Sequence, residues 1–415
     1  MSRQRHIVFL NEFYHPDICA SAAVLSDRLP RLRRLLSHDR LTVIAGNRAW
    51  DDPQRIYPDE EMHEGVRIVR VQRPPIGARG VMRRGLGFLA FGRNAAIAAS
   101  GLGAIDLVIG TTAPPHGAGI ARKIARAAGC PYVYTVLDLY PDLALSLERM
   151  SSWSPVYRTW MNFDRRWMRD ARRVVCISRD ISKRIIETRG FGAEHIETIH
   201  DGFDPAILGL ANFAASSSEV QSDNDFRRRH NPNGQVVIQY AGNMGLSHPF
   251  ETIMAACSRL AGDSRLQFQF IGGGPQREYV REHLPANGVL IDYQPADQLG
   301  ELLTAADICL ISQHEAMYDK ALPYKTYGIF AAARPAIFVG NERSEIAEWL
   351  RESGAGVAVR QGDVDGLIES IRRLADDREV RSRMGASGRA LLDERLHAEQ
   401  SAARWAALID VHCRS

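Results

Sequence analysis

Short apolar runs of strand length alternate with longer amphipathic segments along most of the chain. This alternation is typical of a parallel sheet whose strands are joined by crossover helices. In the first half of the chain, helices are predicted at residues 21–36, 117–128 and 181–188. The strands predicted there are residues 6–10, 41–45, 66–71, 106–109, 132–136 and 174–177.

The same alternation restarts after a polar interruption. Residues 211–233 are rich in Ser, Asn and Asp and are predicted to form a linker or flexible loop. Strands are then predicted at residues 236–240, 268–271, 289–292, 308–311, 336–339 and 357–359, and residues 364–415 are helical in pattern. The sequence therefore predicts two doubly wound, Rossmann-like α/β domains facing across a cleft, with ligands outside the carboxyl ends of the strands.

Length and composition narrow the class of protein. A chain of 415 residues is too long for one ordinary hydrophobic core. The net charge of +3 is small, so nucleic acid is not expected as a partner. Six cysteines without CxxC pairs or zinc-type spacing predict reduced thiols in a cytoplasmic protein. We expect no signal peptide, because the first apolar run is too short. We expect no membrane span, because no apolar run reaches about 18 residues.

One stretch is strongly basic. Residues 65–105 contain seven arginines and no acidic residue, and apolar side chains are interleaved with them. This composition is typical of a surface that docks on anionic lipid headgroups, which predicts peripheral contact with the inner face of the cytoplasmic membrane. Arg79, Arg83 and Arg84 are the candidates for that contact, and the Arg- and Trp-rich residues 158–173 could extend it. The alternative for both stretches is a solvated helix face with ordinary core contacts.

Lys325 is one of only four lysines among 52 basic residues, and it stands at the predicted start of a short amphipathic helix. A cation beside the free N–H groups of a helix N-terminus is suited to a phosphate. The alternative is that Lys325 is a solvated surface residue.

Three loops that follow predicted strands favour the phosphate site over a solvated surface lysine. Backbone without side chains at a strand end lets a nucleotide approach closely and accept N–H hydrogen bonds. Together with Lys325, these loops predict a site for a nucleotide diphosphate, although they match neither the GxGxxG fingerprint nor a P-loop. The loops are Gly242-Asn243-Met244-Gly245, Gly272-Gly273-Gly274-Pro275 and Tyr293-Gln294-Pro295.

These motifs carry a resemblance to a known family. SRDISKRIIETRGFGAEHIETIHDGFDP at residues 178–205, YAGNMG, FIGGGP, ADICLIS and PYKTYGIFAAARPAIFVG resemble the retaining family-4 glycosyltransferases of the GT-B fold. The chain is most similar to a bacterial subgroup that adds sugars, often N-acetylated deoxyhexosamines, to lipid-linked precursors of surface polysaccharides. The resemblance implies an acceptor-binding domain at residues 1–205, a domain for the nucleotide-sugar donor at 206–390, and a final helix at 391–415 that crosses back to the first domain.

The resemblance also implies roles for individual residues. Lys325 would neutralise the donor diphosphate, with Tyr324 and Thr326 beside it in the donor site. The loop after the first strand would turn backbone N–H groups towards the donor phosphates, and its first residues would face the acceptor side. The remaining candidates are Gly242, Asn243 and Gly245 for phosphate and sugar, Gly273 and Gly274 for the nucleoside, Tyr293 and Gln294 for the base, Ala20 and Ser21 for the phosphates, and Tyr14 and His15 for the acceptor side.

Two residues of the first domain are candidates for acceptor chemistry. Asp138 follows the strand at 132–136 and would position or polarise the acceptor hydroxyl; alternatively it caps the Tyr140-Pro141 turn. His116 lies in the loop Thr111-Thr112-Ala113-Pro114-Pro115-His116, where it is either an acceptor-side residue or an ordinary loop histidine. In the resembled mechanism, Lys325 and backbone N–H groups stabilise the departing diphosphate, and no metal is required.

The chain departs from the family pattern at several positions. Of the usual pair of glutamates, the second maps to Gly328 and the first to Lys320. Ser344 and Glu345 are further candidates for the donor site. Glu345 could replace the missing ribose ligand, or it could serve only as a helix-dipole partner. Three further substitutions are Asn243 for an arginine, Ala20-Ser21 for a glycine pair and Leu137 for a histidine.

The predicted function is transfer of a sugar from a nucleotide-diphosphate donor to a saccharide acceptor, lipid-linked in the resembled subgroup. Two alternatives remain at this point: a sugar-nucleotide epimerase or hydrolase of the same layout, and a non-catalytic binding protein that lost the glutamate pair. The basic stretch at 65–105 favours a lipid-linked acceptor over the epimerase. The presence of Lys325 and the glycine loops favours catalysis.

Overall fold

The computed structural model describes residues 3–17, 19–52, 54–73, 81–210 and 224–413, and for residues 81–86 it describes the backbone alone. Contacts divide the chain into two units. Unit 1 consists of Met1–Asp201 and Ala398–Ser415, and unit 2 of Gly202–His397. The divisions thus follow residues 201 and 397, whereas the sequence placed them after residues 205 and 390.

The described residues of unit 1 form eight strands: β1 (His6–Leu10), β2 (Arg40–Gly46), β3 (Glu60–His63), β4 (Val66–Val71), β5 (Leu107–Thr111), β6 (Tyr132–Val136), β7 (Arg173–Cys176) and β8 (Ile196–Thr198). They form one sheet in the order β3-β4-β2-β1-β5-β6-β7-β8. Among the strand pairs of the described sheet, the edge pair of β3 and β4 is antiparallel and the others are parallel. The central strands are buried along their whole length, which explains their continuous apolar runs.

In the described part of unit 1, these strands are connected by the helices α1 (Ala20–Leu35), α2 (Val81–Ser100), α3 (Gly117–Ala128), α4 (Asp142–Ser146), α5 (Pro155–Asp170) and α6 (Arg179–Arg189). Their ends follow local chemistry that the sequence displays. The Ser178 hydroxyl accepts a hydrogen bond from the Ile181 N–H at 3.1 Å at the start of α6. Gly129 and Gly190 end α3 and α6 in the left-handed conformation that glycine adopts without strain.

Outside residues 211–223, unit 2 has the six strands β9 (Val236–Ala241), β10 (Leu266–Ile271), β11 (Gly288–Ile291), β12 (Ile308–Ser312), β13 (Ala336–Val339) and β14 (Gly356–Val359). They form an all-parallel sheet in the order β11-β10-β9-β12-β13-β14. Its helices are α7 (Asp225–His230), α8 (Glu251–Arg259), α9 (Arg277–Glu282), α10 (Leu299–Thr304), α11 (Lys325–Ala331), α12 (Glu345–Ser353), α13 (Val364–Asp376) and α14 (Arg378–Arg395).

Each sheet has a point at which the strand order reverses. In unit 1 this point lies between β1 and β5, and in unit 2 between β9 and β12. Loops that leave the carboxyl ends of such a strand pair diverge to opposite faces of the sheet and leave a crevice. The loop after β9 begins at Gly242, and the segment after β12 leads to Lys325. Sheet order therefore assigns both to the expected ligand end of unit 2.

The last helix, α15 (Ala398–His412), belongs to unit 1. Trp405 of α15 is buried, and the Arg28 guanidinium of α1 lies 5.2 Å from the centroid of its ring. The Ser401 hydroxyl donates to the His200 carbonyl at 2.7 Å. The C-terminal helix is thus part of the unit 1 core, together with Leu25 and Leu29 of α1.

The predicted fold class is confirmed: both units are Rossmann-like α/β domains. The sequence pattern missed the short edge strands β3 and β8, whose few residues carry little periodic signal. Part of the predicted linker is wrong, because α7 occupies Asp225–His230 and buries Phe226. The Asn224 side chain accepts the Arg227 N–H at 2.7 Å and so caps this helix. Residues 211–223 of that prediction lie outside the described residues.

Candidate active site and family

The Lys325 ammonium lies in the interior of unit 2. Helix α11 begins at this residue, as predicted, and Nζ is buried without a hydrogen-bond partner among the described residues. Nζ lies 3.5 Å from the centroid of the Tyr240 ring of β9. Burial lowers the pKa of Lys325 well below its usual value. The alternative of a solvated surface lysine is therefore wrong.

Glycine brings the backbone after β9 next to this ammonium. Gly242 has a φ of 123°, which a residue with a side chain rarely adopts. A Cβ atom at this position would lie 3.4 Å from Lys325 Nζ. The N–H groups of Asn243 and Gly245 donate to no acceptor among the described residues. A cation and two free backbone donors therefore belong to one end of the sheet.

The loops after β9 and β10 form a single layer. The Met244 N–H donates to the Gly273 carbonyl at 2.6 Å, and the Gly242 N–H donates to the Ile271 carbonyl at 2.9 Å. A Cβ atom on Gly274 would lie 2.4 Å from Asn243 Oδ1, so the two loops touch where glycine is required. The structure thus brings together the predicted donor residues Gly242, Asn243, Gly273 and Gly274.

Tyr293 lies against this glycine layer. A Cβ atom on Gly273 would lie 3.0 Å from Tyr293 Cε2, and the Tyr293 hydroxyl donates weakly to the Gly273 carbonyl at 3.4 Å. Half of the Tyr293 surface is exposed. Gln294 instead donates to the Asp292 carbonyl of its own loop at 3.0 Å. Tyr293 is therefore placed to present an aromatic face beside the glycines, whereas Gln294 folds back on the main chain.

His248 is a site residue that the sequence reasoning missed. Its Nδ1–H donates to the Ser312 carbonyl at the end of β12, at 2.6 Å. Burial and the charge of Lys325 lower the pKa of His248 to about 3. The imidazole is therefore neutral near pH 7 and ties the loop after β9 to β12. Its position three residues after Gly245 was the available signal.

Two predicted donor residues are used inside the fold instead. The Thr326 hydroxyl is fully buried and donates to the Pro323 carbonyl at 2.9 Å. The Ser344 hydroxyl is buried and accepts the Ala347 N–H at 3.2 Å, which caps α12. Both hydroxyls therefore have local structural roles, and a contact of either residue with a donor stays a prediction. Tyr324 packs its ring against Tyr327.

Asp138 follows β6 in unit 1. The Leu137 and Asp138 N–H groups donate to the Thr112 hydroxyl at 3.0 and 3.1 Å. Burial, with a smaller contribution from the charge of Asp201, raises the pKa of Asp138 to about 6. The Asp138 carboxylate accepts no hydrogen bond from any described residue. The turn-cap alternative is therefore not what the structure has.

His116 stands immediately before α3. Its Nε2–H donates to the Phe88 carbonyl of α2 at 3.1 Å, and burial lowers the pKa of the imidazole. The other ring nitrogen is then the unprotonated one. His116 also lines an apolar cavity of about 420 Å³ together with residues of α5.

The residues predicted to act in the loop after β1 differ in their structural settings. Tyr14 is buried in the unit 1 core, and its hydroxyl has no hydrogen-bond partner among the described residues, so its acceptor-side role stays a prediction. The His15 imidazole stacks on that of His63, with 3.6 Å between centroids. Helix α1 begins at Ala20, and Cys19 provides no side-chain cap. The N–H groups of Ala20 and Ser21 therefore stand in the first turn of a sixteen-residue helix, where an anion is favoured.

The basic stretch at 65–105 is divided by the fold. Arg70 pairs with Glu61 at 2.6 Å and Arg73 with Glu12 at 3.2 Å, and both guanidinium groups are buried. The expectation that the whole stretch faces a membrane is therefore wrong for these two arginines. Arg79 lies outside the described residues, and so do the side chains of Arg83 and Arg84.

Comparison with known proteins identifies the family. Residues 29–207 match the family model described as Glycosyltransferase Family 4, and residues 235–377 match Glycosyl transferases group 1. The chain is a GT-B glycosyltransferase. The first match covers most of unit 1 and ends six residues inside unit 2, and the second lies within unit 2 and spans the glycine layer and Lys325.

Relatives and solved structures agree with this assignment. The glycosyltransferase is 26% identical over 277 residues to WcaI of Escherichia coli (strain K12), which is named as a putative glycosyl transferase of colanic acid biosynthesis. The match covers 65% of this chain and 66% of WcaI, so the chain spans just under two thirds of the length of that relative. It is 25% identical to Pseudomonas aeruginosa WbjE, named as a glycosyltransferase, covering 81% of both chains.

Two solved structures share the fold of the glycosyltransferase. Sucrose-phosphate synthase from Thermosynechococcus elongatus superposes with a TM-score of 0.74 at 14% identity, over 98% of this chain and 99% of that one. Anabaena HepE in complex with UDP and glucose superposes with a TM-score of 0.71 at 15% identity, over 98% of this chain and 100% of HepE.

The departures from the family pattern have a structural setting. A Cβ atom on Gly328 would lie 3.3 Å from Leu303 Cδ1, so this position is packed without a carboxylate. Lys320 is buried, pairs with Asp319 and donates to the Ala316 carbonyl at 2.8 Å. Glu345 is buried in the first turn of α12, so it is not an exposed helix-dipole partner. Its role toward a ribose stays a prediction.

The described residues were also compared with the requirements of a metal site, a disulfide and a membrane-spanning helix. Within the described ranges, no three His, Cys, Asp or Glu side chains come together as a metal site requires. All six cysteines are free thiols. No helix among the described residues is both long and apolar enough to cross a membrane.

Proposed function

We propose that this glycosyltransferase moves a sugar from a nucleotide-diphosphate donor bound by unit 2 to a lipid-linked saccharide acceptor bound by unit 1, in polysaccharide or lipopolysaccharide biosynthesis. The buried, unpaired ammonium of Lys325 carries the proposal. A charge removed from water without a partner is costly, and the Tyr240 ring offsets only part of that cost. An anion bound beside Gly242 would complete the site.

The proposed chemistry is stabilisation of a leaving group. Negative charge builds on the diphosphate as its bond to the sugar breaks, and preorganised donors lower that barrier. Lys325 and the free N–H groups of Asn243 and Gly245 would act there without a metal ion. The donor's base would lie against the exposed face of Tyr293. His248, kept neutral, would hold the loop in place without competing for the phosphate.

The acceptor step is assigned to Asp138. Its carboxylate has no internal partner and would orient or polarise the acceptor hydroxyl. We propose retention of the anomeric configuration, with the donor phosphate receiving the acceptor's proton. The family match favours transfer over the epimerase, hydrolase and binding-protein alternatives. The names of WcaI and of the lipopolysaccharide core glycosyltransferase LpsE from Rhizobium meliloti (strain 1021) support the biosynthetic setting.

The test compares wild type, Lys325→Ala and Lys183→Ala, the last removing a lysine whose side chain is 77% exposed. Thermal shifts with uridine, guanosine and thymidine diphosphate sugars identify the donor, because a ligand of the folded state raises its stability. Transfer of the labelled sugar is then followed in a bacterial membrane fraction. We expect Lys325→Ala to weaken donor binding by about tenfold or more, ~1.4 kcal/mol, and to abolish transfer.

Normal turnover and donor binding in Lys325→Ala would remove the leaving-group role, provided that Lys183→Ala behaves as wild type. Two additions to the same assay test the finer points. Transfer that disappears with a chelator and returns with Mg²⁺ would contradict the metal-independent step. An inverted anomeric centre in the product would contradict retention.

A further inference from the structure

His248 has a hydrogen-bond acceptor that the proposed chemistry does not use. The Ser312 carbonyl can only accept a hydrogen bond, so the Nδ1 atom that lies 2.6 Å from it must carry the hydrogen. Because burial and the charge of Lys325 lower the pKa of His248 to about 3, the ring carries no second hydrogen near neutral pH. The other ring nitrogen, Nε2, is therefore a lone-pair acceptor, and it has no hydrogen-bond partner among the described residues.

The segment that carries this imidazole is fixed on several sides. The Gln276 side-chain amide, at the start of α9, donates to the carbonyls of Gly245 and His248 at 3.1 and 2.8 Å. The His314 N–H, from the loop after β12, donates to the Ser247 carbonyl at 2.8 Å. Together with the hydrogen bond from Nδ1, these contacts hold the ring in one orientation while unit 2 stays folded.

The edge of the ring that carries Nε2 borders the groups assigned to the diphosphate. A Cβ atom on Gly245 would lie 3.6 Å from His248 Cδ2, the ring carbon bonded to Nε2, and the Gly245 N–H is one of the free backbone donors. The imidazole also spans from the loop after β9 to the end of β12, the strand pair at which the sheet order reverses. Because His248 is partly exposed, a ligand in that crevice could reach it.

The chemistry of Nε2 differs from that of its neighbours. The Lys325 ammonium and the N–H groups of Asn243 and Gly245 all donate hydrogen bonds, whereas the Nε2 atom of His248 only accepts. Phosphate oxygens also act as acceptors, so a phosphate placed against Nε2 would set lone pairs against each other. Hydroxyl groups can donate, and a nucleotide sugar carries them on both sides of its diphosphate, on the ribose and on the sugar. The unused acceptor therefore suits a hydroxyl group and not a phosphate oxygen.

We propose that His248 Nε2 accepts a hydrogen bond from a hydroxyl group of the bound nucleotide sugar, next to its diphosphate. The proposal rests on the proposed function, since it adds one recognised group to the nucleotide-sugar site. It makes His248 a specificity-determining residue, because a ligand without a hydroxyl at that position leaves the acceptor unpaired and binds less tightly.

Two substitutions separate this contact from the hydrogen bond to Ser312. The amide N–H of asparagine stands where Nδ1–H of histidine does, so His248→Asn keeps a donor for the Ser312 carbonyl and removes the acceptor at Nε2. The longer side chain of glutamine brings its amide oxygen to the place of Nε2, so His248→Gln keeps the acceptor and gives up the bond to Ser312. A purely structural role of His248 would make His248→Gln the more damaging change.

The probes are inorganic pyrophosphate and, for uridine, guanosine and thymidine, the nucleoside diphosphate and its glucose derivative. Calorimetry gives their dissociation constants, compared for the nucleoside that wild type binds most tightly. We expect His248→Asn to weaken binding of the glucose derivative by about tenfold and to leave pyrophosphate binding unchanged. We expect His248→Gln to stay within about threefold of wild type. A loss already present with the nucleoside diphosphate assigns the hydroxyl to the ribose, and a loss confined to the glucose derivative assigns it to the sugar.

The matched control is His283→Asn. The Nδ1 atom of His283 also donates to a carbonyl, that of Tyr279 at 2.9 Å, but this histidine is exposed, at the end of α9. The same substitution is thus made at a histidine with the same type of hydrogen bond and no part in the proposed site. Circular dichroism and thermal unfolding of all variants precede the binding measurements.

Wild-type affinity of His248→Asn for the glucose derivative would overturn the proposal. So would an equal loss of pyrophosphate binding in that variant, or weaker binding by His248→Gln than by His248→Asn. Lys325→Ala in the same assay keeps the two proposals apart. If Lys325→Ala loses pyrophosphate while His248→Asn keeps the glucose derivative, the diphosphate site stands and the hydroxyl contact is rejected. If Lys325→Ala keeps pyrophosphate while His248→Asn loses the glucose derivative, the leaving-group role is rejected and the hydroxyl contact stands.

Discussion

Among single residues, Lys325 lowers the stability of the fold in a position where its charge can bind an anionic ligand. Its ammonium is buried over an aromatic ring, without a hydrogen-bond partner among the described residues. Such a group destabilises the ligand-free fold and is retained when a ligand supplies the opposite charge. His248 beside it has lost its capacity to become charged near neutral pH, which keeps a second cation out of the same site.

Replacing Lys325 by Met should therefore stabilise the ligand-free protein while removing nucleotide binding. The pKa of Lys325 is lowered in the folded state, so between that pKa and 10.5 the unfolded chain binds the extra proton. The free energy of unfolding of wild type consequently rises with pH in this window. We expect Lys325→Met to be more stable by about 1 kcal/mol or more at pH 7, with the gap narrowing towards pH 10. Urea unfolding across pH 7–10 measures this.

Lys183→Met, at an exposed lysine, serves as the control for the loss of one surface charge. A gap that stays constant from pH 7 to pH 10, or a Lys325→Met variant less stable than wild type, would show that the ammonium is not desolvated.

Protonation of Asp138 should lower the rate of catalysis at acidic pH. Burial raises its pKa to about 6, so the carboxylate is mainly ionised only above that pH. We expect kcat/KM to fall as pH drops through about 6 in wild type, and Asp138→Asn to lower kcat by about 10²-fold or more while donor affinity changes little. Steady-state kinetics between pH 5 and 8 provide the test. Asp170→Asn, which removes a carboxylate on the surface of α5, should leave the profile unaltered.

If Asp138→Asn retains the wild-type rate, Asp138 has no part in the acceptor step. A persisting acid limb in a slow Asp138→Asn variant would assign the titration to another group.

At the scale of elements, the carboxyl ends of β9 and β10 are shaped by backbone conformations that require glycine. Gly242, Gly272 and Gly274 have positive φ values of 123°, 127° and 128°, in the mirror image of the β region, which only glycine adopts readily. Each places main chain where a side chain would clash or strain. The result is a layer of backbone that contacts Tyr293 at Gly273 and Lys325 at Gly242.

Gly274→Ala should disrupt that layer. The new Cβ would meet Asn243 Oδ1 at 2.4 Å and the Met244 carbonyl at 2.7 Å, in addition to the strained φ. We expect a loss of about 1–3 kcal/mol in the free energy of unfolding, together with weaker nucleotide binding. Gly262→Ala is the control, since nothing lies within 4 Å of its Cβ position. Thermal unfolding with and without the donor nucleotide compares the two; equal behaviour would mean that the loops reshape at no cost.

At the scale of the whole molecule, the last helix stabilises the first unit of the chain. Trp405 and Ile409 of α15 are buried against α1, and Arg28 connects this contact to Asp201 through an ion pair of 2.6 Å. Sequence distance therefore says little about which unit a segment stabilises.

Trp405→Ala should selectively destabilise unit 1. Removing a buried indole costs about 3–5 kcal/mol, because the transfer free energy is lost and a cavity remains. Hydrogen exchange is the measurement, and we expect faster exchange in β1, β2 and α1 with unit 2 protected as in wild type. Val411→Ala, at an exposed position of α15, should change little. Faster exchange confined to β9–β14 would contradict the assignment of α15 to unit 1.

The amino-acid pattern alone determined the α/β class, twelve of the strands to within about two residues, and the start of the helix at Lys325, because buried parallel strands and amphipathic helices leave periodic signals in their own residues. The glycine loops and the family motifs were also readable, since conformations that need glycine are local.

Tertiary structure alone decided which side chains face one another. The Lys325 ammonium of helix α11 is buried against Tyr240 of strand β9. The neutral state of His248 depends on its burial and then on the charge of Lys325. The buried arginines Arg70 and Arg73 depend on glutamates elsewhere in the chain. Thr326 and Ser344 were assigned to a ligand from their positions, yet each bonds to the main chain within three residues. Desolvation and pairing are set by what packs around a group in three dimensions, and a one-dimensional pattern does not contain that information.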